Sequence, residues 1–419
     1  MTSVVSAPLV SCDEEPRVDL VLRGGRMGPL LADRLGLAPA SSHVLDAKYE
    51  PGASCTVLHQ LGSELITVRL SLDGDDPSDG RGVVVAPDTR AFRFPDDPAL
   101  GGLAAAMDPV WLGPRLGESL RTDLRIHRIS FVRYRPAKRV TLRVEGWSRT
   151  ADGQRVRRVL FAKIYHRTTK AAAVYDEARR LVPWAAARED LGLAPAVAFL
   201  ADVPMVVHEG VTGTPLDTLL RRGEESALAR AGAALAALHR APLVSARERS
   251  IDAELARFGR RAAAIERVAQ AVGEQLGAVA TALVLARPNV EPAPSSLVHG
   301  DCKPSQFLIG GAGATLLDLD HCGLAEPASD VGTFLASIRQ QALRGALAGR
   351  PADPLPAEQR FLDAYRAAAD ADDRFVMSAR WYQAVALCRK ALRAFARSPR
   401  SPLAAALGAE AARLTLEDP

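Results

Sequence analysis

No run of about 18 consecutive apolar residues occurs in the 419-residue sequence, so no segment reads as a membrane-crossing helix. The N-terminus, MTSVVSAPLVSCDEEPRVD, lacks the basic head and long apolar core of a secretory leader. Cysteine is scarce: Cys12, Cys55, Cys302, Cys322 and Cys388 are scattered, odd in number and without a Cys-x-x-Cys pair. That excludes a zinc ribbon or a disulfide frame and predicts reduced thiols in a cytoplasmic protein. Charge of one sign is also lacking, the net charge being only +4 with Arg interleaved among Asp and Glu. The run Arg155-Val156-Arg157-Arg158 therefore reads as a solvated strand edge, and neither a nucleic acid nor a membrane is expected as a partner. No Gly-x-Gly-x-x-Gly loop stands where one would cover nucleotide phosphates.

What is present is concentrated in LVHGDCKPSQFLIGGAGATLLDLDHCGLAEPASDVGTFLA, Leu297 to Ala336. A His-Gly-Asp turn is followed five residues later by the amide of Gln306, then by an apolar strand ending in Leu317-Asp318-Leu319-Asp320. A carboxylate to receive a hydroxyl proton, with an oxygen-donor amide and a second carboxylate for Mg²⁺, is the minimal equipment for phosphoryl transfer from ATP. Cys302 and Cys322, beside Asp301 and Asp320 in sequence, read as small residues filling space near the loop.

Upstream, alternation in Ile129, Phe131, Val140, Leu142 and Val144 marks two strands around the turn Arg135-Pro136-Ala137-Lys138. A third strand, Val159 to Tyr165, carries Lys163 inside its apolar alternation, and a charge there must face an anion or water. Thr168 and Thr169 offer caps to a helix carrying Glu177. Ala194–Leu200 and Val203–His208 read as two further strands. From Thr214 the pattern turns helical: Leu216–Arg222, Glu225–His239, Ile251–Ala286, a Pro-rich linker Arg287–Ser296, then Val331–Leu347, Ala357–Ala371, Phe375–Phe395 and Pro402–Leu414. Asp363, Tyr365, Trp381 and Tyr382 on these helices are candidates for lining an acceptor pocket, with helix packing as the alternative.

The stretch Leu297–Ala336 resembles the aminoglycoside phosphotransferase family of small-molecule kinases, whose core is like that of protein kinases. The resemblance implies an α+β fold, two-lobed and protein-kinase-like. It makes Asp301 the catalytic base and Asp318 the principal metal ligand, with Asp320 near a second ion. Gln306 stands where the family usually has Asn, as in its maltokinase branch. Lys163 and Glu177 would pair over the α- and β-phosphates. Val207, His208 and Glu209 would form the hinge that meets adenine through backbone groups. In the turn, backbone amides with Lys138 and Arg139 would replace the missing glycines. His299 and Asp330 would shape and brace the catalytic loop.

The first 120 residues exceed such a core and imply an N-terminal α/β cap. Within them Ala47–Thr56 matches Val132–Thr141 at Tyr, Pro and Thr without a gap, suggesting a degenerate duplicate of the hairpin. The expected division is a cap over 1–120, an N-lobe over 121–212 and a helical C-lobe over 213–419. The expected function is transfer of the ATP γ-phosphate, with Mg²⁺, to a hydroxyl of a small polar acceptor such as an aminoglycoside-like compound, a sugar or a related metabolite. The alternative is a pseudokinase disabled at Gln306. Nothing in the sequence fixes the acceptor or an oligomeric state.

Overall fold

The computed structural model describes residues 15–74, 80–149, 153–242, 247–287, 294–311 and 313–416. The expectations for the leader, for Cys12, and for the linker at positions 288–293 lie outside the described residues. The chain divides into two compact units, one from the described residues of Ser11–Asp176 and Pro195–Gly210, the other from those of Glu177–Ala194 and Val211–Pro419.

In the first unit, α1 (Glu15–Leu22) and α2 (Gly24–Leu35) precede β1 (Ser42–Glu50), β2 (Ser54–Leu61), β3 (Glu64–Ser71), β4 (Val83–Ala86) and β5 (Thr89–Arg93). Two short helices, α3 (Leu103–Ala106) and α4 (Pro109–Leu120), lead into β6 (Arg125–Arg135), β7 (Arg139–Arg149) and β8 (Arg155–Tyr165). After α5 (Thr168–Ala186) and β9 (Leu191–Leu193), the chain adds β10 (Ala196–Leu200) and β11 (Met205–Glu209). The strands form two antiparallel sheets, ordered β1-β2-β3-β5-β4 and β6-β7-β8-β11-β10. The two orders are the same.

The likeness extends to register. Tyr49 lies opposite Cys55 in the first hairpin as Tyr134 lies opposite Val140 in the second. Both tyrosines are buried, and the turn residues Gly52 (φ 78°) and Ala137 (φ 57°) are both left-handed. The Tyr, Pro and Thr matches of the sequence thus fall on corresponding positions of two hairpins of the same order.

Alternation buries one face of the second sheet. Val140, Leu142, Leu160, Ala162, Ile164, Met205 and Val207 enter a core that also holds Leu58 and Leu65 of the first sheet and Leu112 and Leu116 of α4. Each such leucine contributes about 1.5–3 kcal/mol by leaving water. The boundary expected near residue 120 therefore runs through a shared core. The run Arg155–Arg158 is not at a sheet edge, since β8 is the third of five strands. Arg157 pairs with Glu145 at 3.0 Å and Arg158 with Glu209 at 2.6 Å, so cross-strand partners hold these charges as well as water.

The second unit opens with β12 (Thr214–Pro215), α6 (Leu216–Arg221), α7 (Ala227–His239), α8 (Ile251–Glu266) and α9 (Gln270–Ala286). Then come β13 (Ser296–Val298), β14 (Phe307–Gly310), β15 (Gly313–Leu316) and β16 (Gly323–Ala325). The chain finishes with α10 (Ala328–Leu347), α11 (Leu355–Ala369), α12 (Asp373–Arg397) and α13 (Leu403–Leu416). The single helix expected over Ile251–Ala286 is two. A Cβ on Gly273 would come within 2.2 Å of the Glu266 backbone, a close approach that only glycine permits and that lets α9 fold back on α8.

At the centre of the helices Glu358, fully buried, receives Arg339 at 2.6 Å, Arg380 at 2.8 Å and the Gln383 amide at 2.9 Å. A buried carboxylate is tolerated because each lone pair is met. No helix among the described residues is long and apolar enough to cross a membrane. Cys55, Cys302, Cys322 and Cys388 are buried free thiols. Burial pushes the thiols of Cys55, Cys322 and Cys388 up to about 12, as packing residues rather than nucleophiles.

Candidate active site

Two short strands and two 3₁₀ turns build the site. β13 and β16 pair antiparallel, Leu297 opposite Leu324, and the chain leaves β13 through His299 and Gly300. Gly300 has φ 75°, and a Cβ there would stand 2.2 Å from the His321 carbonyl, so the turn requires glycine. Pro304–Gln306 forms a 3₁₀ turn before β14, and Leu319–His321 forms another immediately after Asp318. Asp318 itself is left-handed, with φ 63° and ψ 56°.

His299 and Asp330 fix the loop. The Asp301 amide donates to His299 Nδ1 at 3.3 Å, so the ring proton sits on Nε2, which donates to the Leu317 carbonyl at 2.7 Å. The imidazole thus ties the loop of Asp301 to the strand end before Asp318. Asp330, 1% exposed at the start of α10, accepts the amides of His299 at 2.5 Å and Gly300 at 2.8 Å. His239 Nε2 lies 3.3 Å from the same carboxylate, and its Nδ1 is 2.7 Å from the Tyr365 hydroxyl. Burial would raise the Asp330 carboxyl. The hydrogen bond and charge of His239, with help from His299 and the Gly300 amide, hold it below the usual carboxylate range.

Asp301 is paired with Lys303. Burial favours its neutral form, but the Lys303 ammonium, with His299 and His321, brings it down to about 2. The carboxylate is therefore ionised at neutral pH and able to receive a proton. Its pairing stabilises the fold above the pKa of an unfolded aspartate, near 4, and is lost as pH falls from about 4 towards about 2. In turnover measurements Asp301 should set no acid limb above about pH 4. In Lys303→Met the limb in kcat/KM should move upward by about one pH unit or more as the lowering charge is lost. Superimposed acid limbs would exclude Lys303 from tuning Asp301.

The Gln306 side-chain amide nitrogen donates to Asp318 Oδ2 at 3.3 Å, and the Leu317 amide donates to the Gln306 backbone carbonyl at 2.9 Å. The Asp318 carboxylate and the Gln306 side-chain oxygen, with the amide turned to present it, would suit Mg²⁺, which takes hard oxygen donors and keeps waters and phosphate oxygens for its remaining positions. Among the described residues no group of three or more His, Cys, Asp or Glu side chains could form an all-protein cage. Asp320, 2% exposed, is buried two residues further on, while Asp318 is only partly buried.

The other candidates lie on the second sheet of the first unit. Lys163 is opposite Thr141 on β7 and Val206 on β11, on the face away from the Leu160–Ala162–Ile164 core. By strand alternation Arg139 and Thr141 share that face. Glu177 is on α5, within the second unit. In the β6–β7 turn the amides are already used, contrary to expectation. Pro136 has none, Ala137 donates to Asp97 at 2.7 Å, and Lys138 donates to the Arg135 carbonyl at 3.1 Å. Cationic contacts from this turn must therefore come from the side chains of Lys138 and Arg139. At the strand end, Val207 faces the core, the Glu209 side chain is held by Arg158, and the amides of Glu209 and Gly210 donate to Pro195 and Val159. His208 shares the Lys163 face.

The aromatic acceptor candidates are largely buried, and Tyr382 lines a small cavity with Gly300, Asp330, Arg249 and Arg389. Tyr365 is 2% exposed and bonded to His239, Trp381 is buried, and Tyr382 is buried with its hydroxyl on Glu326 at 3.0 Å. Asp363 is exposed and receives the Gln359 amide within its own helix. Basic groups were missed in the sequence, and Lys303 is the one paired with Asp301. Besides Lys303 there is Lys390 of α12, whose ammonium donates to Ser337 at 2.9 Å and Gln340 at 3.3 Å. Burial, then the charge of Arg389, draws Lys390 down to about 7, with Asp301 acting in the opposite sense and Lys303 and Arg393 adding to the fall. Lys303 could have been found from its place two residues after Asp301. Lys390 and His239 carry no local signal.

The profile of the phosphotransferase enzyme family matches residues 145–369. No curated protein matches the sequence. Among solved structures, a choline/ethanolamine kinase family protein from Mesorhizobium loti is 16% identical, covering 75% of this chain and 92% of its own, with a TM-score of 0.48. The macrolide 2'-phosphotransferase MphH from Brachybacterium faecium is 17% identical, covering 76% and 99%, with a TM-score of 0.45. A choline kinase from Cryptosporidium parvum is 10% identical, covering 75% and 94%, with a TM-score of 0.49. With more than half of its length matched, from β7 through the catalytic loop into α11, the chain belongs to the phosphotransferase enzyme family.

Proposed function

We propose that this phosphotransferase moves the γ-phosphoryl group of ATP to a hydroxyl of a small polar acceptor, with Asp301 receiving the hydroxyl proton. The supporting observation is the loop in which Asp301, Gln306 and Asp318 are held together by His299 and Asp330. Gln306 and Asp318 would hold Mg²⁺, which when bound offsets charge on the phosphate oxygens. Lys163, Arg139 and Lys138 supply the cationic contacts to the phosphates. The adenine is met from the strand end at His208, through carbonyl groups there or residues beyond Gly210. Asp320 acts on the loop from its buried position rather than on a second ion. Catalysis then comes from positioning and charge rather than from a covalent intermediate. Buried free thiols suit a reducing compartment such as the cytoplasm.

The surroundings of Asp301 bear on the acceptor. Lys303 is the cation paired with Asp301, and a cation beside the carboxylate disfavours a polycationic aminoglycoside there and favours a neutral or acidic hydroxyl compound. The pseudokinase reading loses ground because Gln306 keeps its place against Asp318.

Calorimetry of MgATP binding to the wild type and to Asp318→Ala tests the reading. Binding that requires Mg²⁺ is expected in the wild type, weakened about 100-fold or more in Asp318→Ala and about tenfold in Gln306→Ala. A well-folded wild type that binds no MgATP would overturn it.

A further inference from the structure

Asp97 belongs to the N-terminal segment, in the connection between β5 and α3, and is 9% exposed. Its Oδ2 accepts the Tyr134 hydroxyl at 2.8 Å and the Ala137 amide at 2.7 Å, while Oδ1 accepts the Ala99 amide at 2.9 Å. Tyr134 is braced in turn by Thr67 of β3 at 3.2 Å and by the ring of Phe94, 5.1 Å away. The carboxylate thus reaches from the first sheet's half of the shared core to the apex of the β6–β7 turn.

The turn needs such a hold. Ala137 is left-handed at φ 57°, a conformation that a side chain disfavours and that glycine would adopt freely. A glycine-rich loop keeps its amides open for phosphate and is shaped by its ligand. Here the apical amide is spent on a buried carboxylate of the same chain, so the shape is set beforehand. Lys138 and Arg139 follow Ala137 directly, and the Lys138 carbonyl accepts the His166 amide at 3.2 Å, fixing the far side of the turn.

We infer that Asp97 is a positioning residue for the nucleotide. By holding the Ala137 amide it presets the Arg135–Arg139 turn, so that Lys138 and Arg139 meet the polyphosphate of ATP without an ordering cost at binding. The N-terminal segment thereby sets nucleotide affinity without touching the nucleotide. This rests on the reading that the β6–β7 turn receives the phosphates.

The test is MgATP calorimetry on the full chain, beside the thermal midpoint, for the wild type, Asp97→Ala, Asp97→Asn and Leu103→Ala. Leu103, 1% exposed in the same core, serves as a control for lost stability alone. Asp97→Ala should raise the Kd of MgATP about tenfold, as if the competent turn were populated a tenth of the time. Asp97→Asn, which keeps one oxygen for the Ala137 amide, should fall between. Leu103→Ala should lower the midpoint and leave Kd unchanged. In turnover, the KM for ATP should rise in Asp97→Ala while kcat changes less than about twofold. Should the alanine variant fail to fold, the asparagine variant decides. Wild-type binding that is unaltered in the Asp97 variants, or weakened equally by Leu103→Ala, overturns the proposal alone. Absence of MgATP binding by the wild type overturns it together with the reading beneath it.

Discussion

Asp301→Asn should bind MgATP with the wild-type affinity and turn over about 10³–10⁴-fold more slowly. The substitution keeps the size of the side chain and the Asp301 amide bond to His299, so the loop is preserved. What it removes is the negative charge, and with it the oxygen proposed to take the hydroxyl proton. Lys303 loses its charged partner, so the acceptor KM should also change, and the two effects separate in a kcat against KM comparison. Single-turnover kinetics with a competent acceptor would measure the chemical step directly. A loss smaller than about tenfold would transfer the base to another group.

The second large effect is expected at Asp330. Its carboxylate, 1% exposed, meets the amides of His299 and Gly300 and the His239 ring. Asp330→Ala leaves two buried donors unmet and should cost about 3–5 kcal/mol. The loss should appear in the denaturation midpoint and as turnover reduced about 100-fold or more, since the Asp301 loop is no longer fixed. Because the carboxyl is held below its usual range, its contribution is complete above the unfolded aspartate pKa. It should fade as acid carries the pH through the lower folded value. The difference between wild type and variant should therefore be flat across neutral pH and shrink only in acid. A variant within about 1 kcal/mol of wild type would show that the loop holds without its brace.

The stretch holding Asp301, Gln306 and Asp318 stood out in the sequence because its residues are close along the chain and of types suited to phosphoryl transfer. Gln306 and Asp318 need only the two short strands β14 and β15 between them to meet. Alternation likewise placed Lys163 away from the core, and the Tyr-Pro-Thr repeat marked two hairpins of equal register. Other features depend on partners far apart in sequence, which no local pattern records. Asp97 reaches Ala137 across 40 residues, and His239 reaches Asp330 across 91. Tyr365, Trp381 and Tyr382 were ambiguous because helical spacing does not tell a core face from a pocket face. The break between α8 and α9 falls at Arg267–Ala269, which holds neither proline nor glycine, and Gly273, which permits the close turn, already lies inside α9.

The core that joins the two five-stranded sheets also constrains how the protein is made. Leu58 emerges from the ribosome long before Val207, yet both belong to one apolar interior, and the intervening chain includes Glu177–Ala194 of the other unit. At translation rates of about 5–20 residues per second, the early sheet waits on the order of 10–30 s for its other half. Until the second sheet follows, its leucines in this core have only α3 and α4 for native cover. Nascent chains stalled before β11 should therefore be the species most dependent on chaperones, and a slower passage through β6–β8 would lengthen the exposure.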